Sequence, residues 1–318
     1  MNDFQNIKKE VEQKLSRELG EEVTCSIEKI NKQGGITYTG LTVKSNTGSV
    51  CPIFNLDELR ERGLDVKEMR IFIVDKYLRH QIEEEGQKKI LSCLSNYEEA
   101  KKRLVIRCCN LPNNISYLSD KPYRKITRDI VAYLIIHIGD MMPDATEKVA
   151  TTSVTSSLLK NWGVSFEEAY SDALRNGFKP YIGDLLEMQT SFFNKDFLQP
   201  LREFELIQHI SPELPPLFVI SNQKQVGGAS ILAYPEVLKM LSDFFAMDLM
   251  VIPSSVHEIL VLPFVEGHTS AKSTIVDEVS SMIQEVNATS VAEEDILSST
   301  AYLLRNGVLL DIEAALTA

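Results

Sequence analysis

The feature that most constrains this chain is a series of short apolar runs of strand length that come in pairs around turn signals. One run over 22–32 and another over 36–44 flank Gly34-Gly35. Near the other end, two further runs flank Asn306-Gly307, which is the strongest two-residue hairpin signal in the sequence. Pairs of this kind predict antiparallel hairpins, because parallel strands need a longer crossover connection.

Helical patterns lie between the paired runs. Apolar residues recur at helical spacing over 3–19, and Asp65 with Glu68 has the spacing of a capping box at the start of another helix. A β–α–β rhythm with a glycine fingerprint is missing, so a dinucleotide-binding fold is not expected. The predicted fold class is therefore α+β, with antiparallel sheets built from hairpins and helices packed on them.

An acidic break at 83–86 marks the predicted domain boundary. We expect an N-terminal subdomain over 1–88, built from a helix, a three-stranded meander and a helix, and a main α+β domain over 89–318. Within the second domain the patterns predict one long strand over 124–138, a helical region over 181–206 and a strand over 229–233.

Composition is that of an ordinary globular chain, but the charge is unevenly distributed. Of 318 residues, 44% are hydrophobic and 25% are charged, and the net charge is −12. Residues 1–160 hold 25 Lys and Arg against 23 Asp and Glu, whereas 161–318 hold 8 against 22. The acidic total opposes non-specific binding to nucleic acid, so nucleic acid is not favoured as a partner.

The cysteines and the apolar runs predict a cytoplasmic protein. The five cysteines are scattered and odd in number, which argues against a disulfide framework. The charged N-terminal stretch does not look like a signal peptide, and every apolar run is too short to span a membrane. The histidines lack metal-ligand spacing, so we expect neither a metal nor a cofactor.

The stretch 247–263, MDLMVIPSSVHEILVLP, is the best place to look for catalysis. It reads as two strands around a turn at Pro253-Ser254-Ser255, and Ser255, His257 and Glu258 form the candidate catalytic group, with Ser254 as an alternative nucleophile. In a regular strand His257 and Glu258 point to opposite faces, so Glu258 could not orient the imidazole as a triad requires. The alternative is a turn whose hydroxyls bond to the local backbone.

The stretch 101–128 carries eight basic residues and one acid. This pattern predicts an anion-binding surface or, alternatively, a segment that docks on the acidic second half of the same chain. The candidate anion-binding residues are Arg103, Arg107, Lys121, Arg124, Lys125 and Arg128.

Several segments resemble an uncharacterised family of bacterial proteins, a domain of unknown function, over nearly the full length of the chain. They are PSSVHEILVLP, the block from Glu285 to Tyr302, the block from Asn31 to Val43, and the block from Asn110 to Val131. The segment from Trp162 to Asn176 is also similar to a second uncharacterised bacterial family. These resemblances imply a cytoplasmic bacterial protein and bring no activity, cofactor or catalytic residue.

Three functions are therefore open. The first is a non-enzymatic interaction or regulatory module with a protein partner. The second is a hydrolase or transferase with a site around Ser254, Ser255, His257 and Glu258. The third is an anion or nucleic-acid binder that uses the basic stretch.

Overall fold

A computed structural model describes residues 2–46, 51–79, 84–139, 150–177, 180–184, 218–222, 225–264 and 272–317. These residues form helices and three antiparallel sheets of three, four and six strands, which confirms the predicted α+β class. None of the helices in these ranges is both long and apolar enough to cross a membrane. The chain divides into two compact units, Met1–Ala100 with His137–Thr152 and Lys101–Ile136 with Ser153–Ala318. The predicted boundary at residue 88 stays a prediction.

The described part of the first unit contains a three-stranded meander in the order β1-β2-β3 and five α-helices. Its elements are α1 Asn2–Leu19, β1 Val23–Asn31, β2 Thr37–Ser45, β3 Ile53–Asn55, α2 Leu56–Glu61, α3 Val66–Arg79, α4 Glu84–Ser95 and α5 Tyr97–Ala100.

The core of the first unit follows from the periodicity of its elements. Ile7, Val11 and Leu15 of α1 are buried, and they pack in one cluster with Leu41 and Val43 of β2. The predicted capping box is also confirmed. The backbone N–H of Glu68 donates to the Asp65 carboxylate at 2.8 Å, and the backbone N–H of Asp65 donates to the Glu68 carboxylate at 2.9 Å. This reciprocal capping box begins α3 where the spacing predicts it.

The other two sheets are a six-stranded sheet in the order β13-β12-β10-β11-β9-β8 and a sheet in which β4, β6 and β5 are adjacent and β7 pairs with β6. Their strands are β4 Leu104–Asn110, β5 Tyr123–Lys125, β6 Ile130–His137, β7 Thr151–Ser153, β8 Pro180–Asp184, β9 Phe218–Asn222, β10 Leu249–Ser255, β11 Glu258–Pro263, β12 Tyr302–Arg305 and β13 Val308–Asp311. The α-helices of the second unit are α6 Ser156–Trp162, α7 Phe166–Asn176, α8 Pro235–Phe245, α9 Lys272–Thr289 and α10 Ile312–Thr317.

The Asn306-Gly307 hairpin is confirmed, since both residues have positive φ, 53° and 80°, and Arg305 pairs with Val308. The long strand predicted over 124–138 is wrong, because the chain turns between β5 and β6. There the Ile126 and Thr127 N–H groups both donate to the Ile130 carbonyl. Thr127 closes the turn by accepting from the Ile130 N–H through its hydroxyl, without any glycine or proline to signal it.

Two further predictions in the second unit are wrong. Residues 229–233 form a 3₁₀ turn, Gly228–Ala233, instead of a strand, because Gly227 adopts a φ of 66° and the Gly228 N–H is bonded to the His257 carbonyl. Residues 181–184 lie in β8 and are paired with β9 instead of being helical. The rest of the region predicted as helical, 185–206, lies outside the described residues.

The core of the first unit provides the first testable prediction. Replacing the fully buried Leu41 with alanine should lower the free energy of unfolding by about 2–5 kcal/mol, because it leaves a cavity between α1 and β2. Ile71 on α3 is 53% exposed and serves as the control, since its alanine variant should change stability by less than about 0.5 kcal/mol. Urea denaturation followed by circular dichroism measures both, and equal effects of the two substitutions would contradict this packing.

Candidate functional site

The two residues Val256 and His257 form the turn between β10 and β11. Ser255 pairs with Glu258 across the turn, and the register shifts between Ile252 and Ser255. The predicted turn at Pro253-Ser254-Ser255 is therefore wrong, since these residues lie in β10. Pro253 is tolerated there because β12 pairs with β10 only as far as Val251, so the missing proline N–H falls where the ladder is incomplete.

Both nitrogens of the His257 imidazole have partners. Nδ1 accepts from the backbone N–H of Gly227 at 3.1 Å, and Nε2 lies 3.2 Å from Oδ1 of Asp295. Because Nδ1 is an acceptor, the proton of a neutral ring belongs on Nε2, the nitrogen that faces the Asp295 carboxylate. The His257 side chain is 39% exposed, so the ring is held at the surface rather than in a closed pocket.

The backbone of the turn is bonded as fully as the ring. The His257 carbonyl accepts from the Gly228 N–H at 3.0 Å and from the Ser221 hydroxyl at 2.7 Å. A Cβ atom at position 228 would lie 2.2 Å from the Ser221 Oγ and 2.5 Å from this carbonyl oxygen, so only glycine fits. The Val256 N–H donates to the carbonyl of Asp295 at 2.8 Å. The hairpin turn is thereby tied to three separate segments.

The structure does not bring the other candidate catalytic groups onto the imidazole. Ser255 Oγ accepts from the backbone N–H of His257 at 3.1 Å, which is a local turn contact. Ser254 Oγ donates to Glu258 Oε1 at 3.3 Å, so this carboxylate bonds to a serine and not to the histidine. A base needs a free nitrogen lone pair within reach of its nucleophile, and the Nδ1 lone pair already accepts from the Gly227 N–H while Nε2 faces Asp295. The catalytic assignment stays a prediction.

Sequence reasoning missed the groups that hold His257. Asp295 lies in a 3₁₀ turn, Glu293–Asp295, far along the chain, and no local spacing connects it to the histidine. Gly227-Gly228 did carry a signal, because two adjacent glycines indicate that another backbone approaches closely. The Glu285–Tyr302 block that resembles a known family contains Asp295, so that block supplies an anchor for the turn.

A second polar cluster lies where the β5–β6 turn meets the C-terminal segments. Asp129 accepts from the hydroxyls of Tyr302, Ser298 and Thr127, and the Ser298 contact measures 2.8 Å. Tyr302 is 1% exposed, and its burial, with Asp129 as the next cause, raises the pKa of its phenol. Every group in this cluster is satisfied by a neighbour, which is typical of a structural network.

Three of the six candidate anion-binding residues pair with acids: Lys121 with Asp120 at 2.7 Å, Arg128 with Asp311 at 3.1 Å, and Arg124 with Glu167. Glu167 and Asp311 belong to the acidic second half, so these two arginines dock on it. Arg103 lies partly buried in a 3₁₀ turn and Lys125 is exposed on β5. Arg107 is partly buried on β4.

The buried cysteines are poor nucleophiles. Burial raises the pKa of Cys25 and of Cys109 to about 12, and it also raises the pKa of Cys108. These thiols are therefore protonated at neutral pH, whereas the thiolate is the reactive form. Within the described ranges, no three His, Cys, Asp or Glu side chains are grouped so that they could hold a metal ion.

We expect His257 to stabilise the turn. His257→Ala should lower the free energy of unfolding by about 1–3 kcal/mol, because it leaves the Gly227 N–H and the Asp295 carboxylate without their partner. Glu258→Gln is the control, since its amide oxygen can still accept from Ser254, and it should change stability by no more than about 0.5 kcal/mol. Urea denaturation measures both, and a His257→Ala variant as stable as the parent would contradict this role.

Comparison with known proteins gives one match. Neither a curated protein nor a solved structure matches the chain. The profile of a family of unknown function, DUF5688, matches residues 4–305, which is nearly the whole sequence. This agrees with the resemblance seen in the sequence motifs, and the chain therefore belongs to the DUF5688 family.

Proposed function

We propose that this protein is a non-enzymatic interaction module that binds a partner chain by adding a strand to the edge of β1. The observation that carries the proposal is the open second half of that edge. Unpaired N–H and C=O groups on an edge strand are a ready template for another extended chain.

The geometry of the edge follows from the sheet register. In β1 the residues at odd positions direct their N–H groups away from β2, because the N–H of Val23 donates to Ser16 Oγ at 3.0 Å and that of Cys25 donates to Glu12 Oε1 at 2.7 Å. Side chains of α1 thus close the first half of the edge.

The second half of the edge has no such cover. Among the described residues, the outward N–H groups of Ile27, Lys29 and Asn31 have no hydrogen-bond partner. Lys29 is exposed, and its Nζ donates to Thr39 Oγ1 at 2.9 Å instead of reaching over the edge. A lysine on an edge strand discourages indiscriminate pairing, so this edge is suited to a selected partner.

The side chains along the edge define the chemistry of that partner. Glu28, Ile30 and Lys32 share the face of the sheet opposite to the α1 core. An antiparallel partner strand therefore needs an acid, an apolar residue and a base at alternate positions. The segment from Glu28 to Lys32 itself has this pattern, so a second copy of the chain fits, with Ile30 opposite Ile30 of the other copy and each Glu28 opposite a Lys32.

The bonding of the candidate catalytic residues gives the proposal indirect support. The hydroxyl of Ser254, the imidazole of His257 and the carboxylate of Glu258 are each engaged in bonds that hold the β10–β11 turn. A hydrolase or transferase at these residues is the alternative, and it requires the imidazole to leave Gly227 or Asp295. The proposal includes a cytoplasmic location, which five free cysteines support.

The outward N–H of Lys29 provides one test. Lys29→Pro removes this donor without breaking a bond to β2, whereas Lys29→Ala removes the same side chain and keeps the N–H. Because each pair of copies would lose two backbone hydrogen bonds, the dimer dissociation constant should rise about tenfold or more in the proline variant only. Sedimentation velocity over a concentration series measures it, and a parent chain that stays monomeric throughout would contradict the second copy as partner.

The facing charges provide a second test. Glu28→Lys alone places two lysines opposite each other, and Lys32→Glu alone places two glutamates opposite each other, so each single variant should weaken self-association by a few fold. The double variant restores opposite charges and should associate as the parent does. If the double variant dimerised no more tightly than either single variant, this register would be ruled out.

A further inference from the structure

We infer that Arg107 anchors a binding site for a small oxyanion, whose two neighbouring acceptor oxygens would face the guanidinium fork. This inference is independent of the β1 edge, since it concerns residues of the second unit alone. It also narrows the anion-binding surface predicted from the sequence to a single position in the basic stretch.

Arg107 lies on the outermost strand of its sheet. It pairs with Tyr133 of β6, and no strand among the described residues pairs with the other side of β4. The chain around the 3₁₀ turn Gly228–Ala233 lies against that open side, where the Tyr234 hydroxyl bonds to the backbone N–H of Ile106. The arginine therefore extends from the sheet edge toward Gly227, where the turn begins.

The guanidinium is short of partners. Of its five N–H donors, only Nη1 has an acceptor within the described part of the chain, the Gly227 carbonyl, and at 3.4 Å this contact is long. Among the residues that the structure describes, no carboxylate lies within ion-pair distance of Arg107, although it is partly buried. Burial lowers the pKa of this guanidinium, which records its lost hydration.

The groups around Arg107 do not supply the missing negative charge. Burial raises the pKa of Tyr234 to about 12, raises that of Tyr133 well above its usual value, and raises that of Cys108 as well. All three are therefore neutral at pH 7. A partly desolvated cation without a counter-charge is unfavourable, because buried charges are ordinarily paired. An oxyanion from solution would supply the pair.

The loop beside Arg107 holds the guanidinium in place. Gly227 has a φ of 66°, and a Cβ atom there would lie 2.5 Å from both Cζ and Nε of Arg107. The backbone of Gly227 therefore packs directly against the guanidinium, and its N–H is fixed by His257 Nδ1. This contact orders the side chain before any ligand arrives, which reduces the entropic cost of binding.

The chemistry of the site is that of an arginine fork. A guanidinium offers parallel N–H groups that match two oxygens of a carboxylate or a phosphate, and it does so as a permanent cation. The polar atoms near it on the loop are already used: the Gly227 N–H by His257, and the Ser230 hydroxyl by the Gly227 carbonyl at 2.7 Å. The ligand contacts are therefore expected to come from Arg107 itself.

The test is anion binding by the full chain. Melting temperatures are measured in sodium phosphate, in sodium acetate and in sodium chloride at equal ionic strength and pH, and affinities for phosphate and acetate are measured by calorimetry. We expect saturable stabilisation by phosphate, acetate or both beyond that by chloride. A response to phosphate alone assigns the site to phosphate groups, and a response to acetate alone assigns it to carboxylates.

Variants decide whether Arg107 is responsible. Arg107→Met should abolish the response, and Arg107→Lys, which keeps the charge but not the fork, should bind about tenfold more weakly. Arg175→Met is the control, because Arg175 is 71% exposed on α7 and should leave binding unchanged. Equal stabilisation by all three salts, or an unchanged response in folded Arg107→Met or Arg107→Lys protein, would overturn the inference.

Discussion

The second unit depends on one constraint, the need to satisfy the backbone of the tight turn at Val256 and His257. The turn N–H groups and carbonyl bond to Asp295, Ser255, Ser221 and Gly228, and the imidazole adds Gly227. Since buried backbone groups are almost always paired, the segments that supply these partners must stay together. This explains why a histidine flanked by serines and a glutamate in the sequence holds a turn in the structure.

Part of the uneven charge of the sequence is likewise balanced by contacts within the chain. Arg124 and Arg128 project from a basic stretch and meet Glu167 and Asp311 of the acidic second half. Exposed pairs of this kind contribute little stability individually, but they give two of the six candidate anion-binding residues an acidic partner within the chain. Arg107 differs because it is partly desolvated and faces a glycine backbone instead of a carboxylate.

Much of the local structure could be predicted because its signals are short-range. The Asp65–Glu68 capping box and the Asn306-Gly307 turn depend on neighbouring residues, and both form as expected. The predictions that were wrong lie where a distant contact overrides the local pattern. Residues 229–233 have the composition of a strand, but the turn is held at Gly228, whose N–H bonds to the His257 carbonyl. The Thr127 turn is closed by a hydroxyl, and a threonine there carries no distinctive signal.

The sequence by itself determined the α+β class, the hairpins, the capped helices, the family and the position of the polar groups in the chain. Alternation and capping act over a few residues, so they can be read without coordinates. Only the tertiary structure decided which groups meet: that Asp295 rather than Glu258 lies beside the His257 ring, and that Arg107 faces the Gly227 carbonyl. These contacts join residues from 38 to 120 positions apart, and no local pattern encodes which distant partner satisfies a given polar group.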